Sequence, residues 1–345
     1  MAPDRHDDDR PAPDRRDDIR PTRRRFLAAA ATATATVGLA GCGNRTVPHG
    51  WLDVGAPVGG ALRDVTLTTA GPHAVGEGGV VVARQGDAWQ TVVENGPAGQ
   101  GNGLHGVAVT DDARRIWLAG ESGAAGAYDP VSGTLTDVSG PVGHTSTWTD
   151  VAVAGRAGSE RVALLNGSGE LLPGRARQGT VRWGELTKPT GGEPGTAVDA
   201  VGRTTVVTDA AGGVYGHTGP VDPTERDEAG WTTMGLRGVE TAIRDVSAME
   251  PDLITVVTAD GAAFDYDGYG WFRTPVAEAA LHAVDRRGDD ALTTGVDGAV
   301  YELADHSWQE ADTPTSKALN GCALGTDSYA DVAVGDNGTV LERFG

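Results

Sequence analysis

Hydrophobic and polar positions alternate along this chain in short runs, and the runs repeat. One unit opens as Leu-x-Asp-Val, resumes after a turn as Ala-Val-Gly-x-x-Gly-x-Val-Val, and closes on a Trp with alternating neighbours. The clearest copy runs from Leu62-Arg63-Asp64-Val65 through Ala74 to Val81 and closes at Trp89. Later copies open at Leu104, Trp148, Ala197, Ile243, Leu281 and Leu319. Period-two alternation in Val- and Thr-rich runs predicts strands, and the Gly, Asp and Asn pairs between them predict hairpin turns that need positive φ. Closing positions at 51, 89, near 135, and at 183, 231, 271 and 308 recur at the length of a four-stranded propeller blade. The seventh copy stops without its closing strand, whereas Trp51-Leu52-Asp53-Val54 precedes the first copy as an orphan closing strand. The pattern therefore predicts an all-β, seven-bladed β-propeller over residues 51–345, closed by an N-terminal strand that completes the last blade and leaves no open sheet edge. The recurrent Trp reads as packing between blades, with a ligand-stacking platform as its alternative.

The first fifty residues follow another rule. Residues 1–21 mix Pro, Asp and Arg and cannot build a core, so a disordered extension is expected. Residues 22–41 read as an export signal: Arg23 and Arg24 form a twin-arginine pair ahead of the uncharged run Ala28 to Ala40, which is too short to span a bilayer. The run ends at Leu39-Ala40-Gly41-Cys42, which resembles a lipobox. That resemblance implies cleavage before Cys42, a lipid on its thiol, a short tether over residues 42–50, and a location on the outer face of the cytoplasmic membrane. Asn44, Asn166 and Asn337 each fit a glycosylation sequon.

Charge narrows the partners. The net charge is −20, and Lys188 and Lys317 are the only lysines. Such a surface repels phosphate backbones, so no nucleic-acid partner is expected. Acid-rich, lysine-poor composition resembles proteins of salt-loving archaea; an ordinary acidic secreted protein is the alternative. Cys322 lies in an apolar run and reads as a buried small hydrophobe. No zinc spacing, nucleophile elbow or phosphate loop appears, and neither a metal nor a cofactor is expected.

The unit Leu-x-Asp-Val…Ala-Val-Gly-x-x-Gly…Trp resembles the photosystem II stability and assembly factor family and its relatives with sialidase-like (BNR) repeats. The resemblance covers residues 51–345 and implies the propeller fold. It further implies a role as an assembly factor for a membrane complex, acting through arginines on one face. The matching face here carries few arginines, and the Ser-x-Asp-x-Gly-x-x-Trp box of true sialidases is missing.

Propellers bind at the mouth of their central channel, where the innermost strands start together. The second residue of each opening strand falls there: Arg63, His105, Thr149, Arg244, His282 and Asn320, with Val198 breaking the ring. These residues form a candidate site for a carboxylate, a phosphate or an acidic peptide. The competing reading makes them channel lining paired with acids such as Asp64, Asp150 and Asp245. The repeated Asp at the third position, Asp64, Asp150, Asp199 and Asp245, reads as a structural acceptor for backbone amides in the neighbouring turn. The function expected is a non-catalytic, monomeric, membrane-anchored module that binds a membrane protein or a glycan. The alternative is a glycan-active hydrolase or lyase at the mouth; a deep pocket with three or more converging ionisable groups would favour it, and a flat or plugged mouth the binding module.

Overall fold

The computed structural model describes residues 49–219, 221–225 and 230–344. Arg23, Arg24, Cys42 and Asn44, with the extension, signal and most of the tether, lie outside the described residues.

Seven antiparallel sheets of four strands each form the seven blades. The inner strands are Leu62–Thr68, Leu104–Val109, Trp148–Ala154, Gly195–Val201, Ile243–Glu250, Leu281–Arg287 and Leu319–Ala323, in blades 1 to 7. Blade 7 takes its outer strand, Gly50–Asp53, from the other end of the chain. That strand pairs with Val340–Phe344 in the register Trp51↔Arg343 and Asp53↔Leu341. The orphan strand and the unfinished copy thus complete one another. The inner strands all start at one face, here called the mouth face, and end at the opposite, exit face.

Apolar clusters sit between neighbouring blades, so no single blade owns a core. The recurrent Trp belongs to these junctions. Trp51 Nε1 of blade 7 donates to Glu302 Oε1 of blade 6 at 2.9 Å, and Trp89 Nε1 of blade 1 donates to Glu342 Oε1 of blade 7 at 2.8 Å. An arginine of the same blade as the Trp joins each carboxylate: Arg343 to Glu302 at 2.7 Å, and Arg84 to Glu342 at 2.6 Å. At the junction of blades 2 and 3, Glu160 takes Trp117 and Arg115 in the same way. Each of these carboxylates, two of them buried and Glu302 half-buried, thereby meets a cation and an indole N–H.

Candidate functional site

Blade 4 requires a correction. The sequence places its inner strand at Ala197-Val198-Asp199, but the strand starts at Gly195. Every inner strand skips register after its first residue, at Leu62/Asp64 in blade 1 and at Gly195/Ala197 in blade 4. The equivalent of Arg63 is therefore Thr196, and Val198 lies deeper, buried against blade 3. Ala-Val-Asp imitated the start of the repeat because Ala283-Val284-Asp285 holds the same place in blade 6. With Thr196 in place, all seven second-position residues are polar. They line one depression of about 130 Å³ at the mouth, together with Asp64, Asp150 and Asp245.

The seven residues differ in what they touch. His282 Nδ1 lies 3.1 Å from the Leu319 carbonyl of blade 7, and Asn320 Nδ2 donates to the Leu62 carbonyl of blade 1 at 3.0 Å, so these two join blades. Thr149 donates to the Leu165 carbonyl of its own blade, and Thr196 meets Thr208. Arg63 pairs with Glu77 at 3.0 Å, and His105 stands 3.5 Å from Glu121. Asn320 also donates to Asp336. Glu77, Glu121 and Asp336 occupy the same turn, just past the second strand of blades 1, 2 and 7. In blade 5 this position is Ala259, and the acid one residue on, Asp260, is held by Arg273 at 3.5 Å and accepts a hydrogen bond from Thr258. Arg244 is exposed and makes no hydrogen bond or ion pair among the described residues.

The repeated aspartates do not pair with the ring. Each inner strand is a sheet edge facing the channel, and its outward amides lack ladder partners. Asp64 accepts the amides of Val65 at 2.7 Å and of Val107, in the next blade, at 2.8 Å. Asp150 does the same for Val151 and Val198, and Asp245 for Val246 and Val284. Asp199 and Asp285 sit two residues further along their strands and reach Ala248 and Leu324. The acceptor role expected of the repeated Asp is present, but its donors lie in its own inner strand and the next blade's, not in a turn. Five carboxylates thus form a crown at two levels, with Asp64, Asp150 and Asp245 nearer the mouth. At that level the intervening blades carry Gly106, Ala197, Ala283 and Gly321. A Cβ on Gly106 would stand 2.6 Å from Asp150 Oδ1, so small residues must separate the acids there.

Burial pushes these carboxyls up, Asp64 to about 7, Asp199 to about 6 and Asp245 to about 8. Asp150 and Asp285 also rise through burial, and Asp64 and Asp245 add repulsion at Asp150. The crown lines a channel cavity of about 310 Å³ that Cys322 also reaches. Burial raises the Cys322 thiol as well, which keeps it in its unreactive form. Among the described residues, no group of three or more His, Cys, Asp or Glu side chains could hold a metal ion.

The two sequons within the described residues differ. Asn166 is buried; its Oδ1 accepts the amides of Ser168 and Glu170 and its Nδ2 donates to Glu170. That geometry leaves a glycan no room in the folded chain. Asn337 is exposed, in a turn at φ 56°.

No family model matches this chain, and no curated protein matches it. Solved structures do. YCF48 from Cyanidioschyzon merolae is similar at 13% identity and TM-score 0.62, over 85% of this chain and 98% of that one. YCF48 bound to D1 peptide gives 11% identity and TM-score 0.63, over 87% and 100%. A catalytically inactive virginiamycin B lyase from Staphylococcus aureus with quinupristin gives 14% identity and TM-score 0.66, over 85% and 99%. At these identities the likeness establishes the propeller fold alone.

Proposed function

We propose that this chain is an exported, lipid-anchored binding module that receives an anionic group of a protein partner at its mouth, with Arg244 as the principal contact. Arg244 carries the reading. It is a guanidinium in an acidic protein, at the mouth of the channel, exposed and without a partner among the described residues, and a guanidinium offers paired donors to a carboxylate or phosphate. Arg63 and His105, held by Glu77 and Glu121, add donors around it. Export through Arg23 and Arg24 and a lipid on Cys42 place the module at a membrane surface. The capture of YCF48 with a peptide supports a peptide or protein as the partner class.

The glycan-active alternative has less support. Seven ionisable side chains do converge at the mouth, as an enzyme would require. The depression is nonetheless well below the several hundred Å³ of small-molecule pockets, and its carboxylates each already accept two amides.

The test is mild crosslinking on native membranes with the wild-type lipoprotein and the Arg244→Ala variant in parallel. The expected result is a consistent protein partner recovered with the wild type and strongly depleted with Arg244→Ala. Equal recovery with both overturns the role of Arg244. Recovery of the protein alone, with glycan turnover abolished by Arg63→Ala and Arg244→Ala, replaces the module by an enzyme.

A further inference from the structure

Among the described residues, the exposed large hydrophobics are Val54, Val131, Val142, Tyr269 and Phe272. Strand direction sorts them by face. Val54 and Val142 lie in loops of the mouth face, and Val131 in an exit-face turn between the third and outer strands of blade 2. Both aromatics belong to the corresponding hairpin of blade 5, between Ala262–Tyr266 and Trp271–Pro275. Tyr269 stands at its tip, 98% exposed, and Phe272 is 59% exposed just beyond it.

The hairpin is built to hold that tip outward. Asp267 Oδ1 accepts the amides of Tyr269 and Gly270, both at 2.9 Å. Tyr266 donates to the Gly268 carbonyl, and its ring packs on Trp271 at 5.1 Å between centroids. Trp271 Nε1 donates in turn to the Met234 carbonyl of blade 4. A hydrogen-bonded turn thus presents an almost fully exposed Tyr. Such a side chain has an apolar body and a polar tip, the combination that settles at the headgroup level of a bilayer.

The direction of the closing strand points the same way. Gly50 pairs with Phe344 and Asp53 with Leu341, so the chain enters the propeller at the exit face and runs toward the mouth. Only seven residues lie between Cys42 and Gly50, and the eight steps reach at most about 29 Å when fully extended.

We propose that the exit face, led by the Tyr269 hairpin, rests against a lipid bilayer, so that the Arg244 mouth points away from it. The proposal rests on the lipid-anchor reading given above. The lipid keeps the chain at the surface, and the aromatic hairpin adds a second contact that selects which face turns inward. A net charge of −20 offers no attraction to anionic lipid, so the contact is apolar and aromatic, and zwitterionic lipid suffices.

The experiment uses the mature, lipid-bearing chain in phosphatidylcholine vesicles, with one fluorophore on either Asp252→Cys or Ser316→Cys, both of which keep Tyr269. Both positions are exposed; Asp252 lies in the exit-face turn of blade 5 beside the Tyr269 hairpin, Ser316 lies in a mouth-face loop that leads into blade 7, and the buried Cys322 stays unlabelled. A spin label on the lipid headgroup quenches a nearby dye. The expected result is that the dye at 252 loses most of its emission and the dye at 316 keeps it. Flotation with the vesicles, compared with Cys42→Ser, reports the anchor separately. A chain that floats with the two dyes quenched alike, with only 316 quenched, or with neither quenched overturns the orientation and leaves the anchor standing. A chain that does not float overturns the anchor reading and this proposal with it.

Discussion

Ala259 occupies the turn position that Glu77, Glu121 and Asp336 fill in blades 1, 2 and 7, and Asp260, one residue on, is held by Arg273. The mouth arginine of blade 5 therefore has no acid where Arg63 has Glu77. Ala259→Glu supplies that acid and is expected to lower partner recovery in the crosslinking assay by pairing with Arg244. Ala259→Gln, of similar size without the charge, is expected to keep recovery high, and equal losses from the two variants mean that bulk and not pairing is responsible. Arg244 and Arg63 look alike within their strands, and they differ through the residue that follows the second strand of the blade.

The closing strand is the element on which the ring depends. It contributes four residues, and Trp51 is the one buried deeply. Its indole fills the junction with blade 6 and donates to Glu302, which also takes Arg343 from the neighbouring strand. Trp51→Ala is expected to cost about 3–5 kcal/mol, the range for removing a buried aromatic, read from the midpoint of chemical unfolding. Trp308→Ala in blade 6 removes a half-buried side chain and is expected to cost clearly less. Equal losses from the two variants refute a special role for closure. The strand itself was legible as an orphan Trp-Leu-Asp-Val before the first copy. Its partner strand was legible because the seventh copy stopped one strand short.

Across the whole molecule, the carboxylate crown links stability to pH. Burial holds Asp64 and Asp245 protonated to about 7 and about 8, whereas the same groups in an unfolded chain ionise near 4. The folded state then binds more protons than the unfolded state between these values. Their contribution is complete below about 4, declines as pH rises, and is gone above about 8. Acids whose carboxyls are held low, such as Glu121 and Asp129, vary only below that window. The melting temperature is therefore expected to fall from pH 5 to pH 8 and then level off. Asp245→Asn removes one titrating carboxyl from the crown and is expected to flatten the slope. A slope that Asp245→Asn leaves unchanged means other groups set the dependence.

The sequence by itself determined the number of blades, their four strands and the circular closure. Alternation of period two, turn glycines and a repeated Trp are local signals, and each copy states them again. It also determined which residue types reach the mouth, since Arg63, His105, Arg244, His282 and Asn320 share one place in the repeat. Tertiary structure decided what those residues do. A register skip, invisible in a single strand, moved the fourth ring position from Val198 to Thr196 and set Asp199 at the deeper level. Contacts between blades turned His282 and Asn320 into struts, while Arg244 stayed open. Only the closed ring brought five aspartates around one channel. Propeller blades meet through side chains far apart in the chain, and spacing along a sequence carries no record of which of them meet.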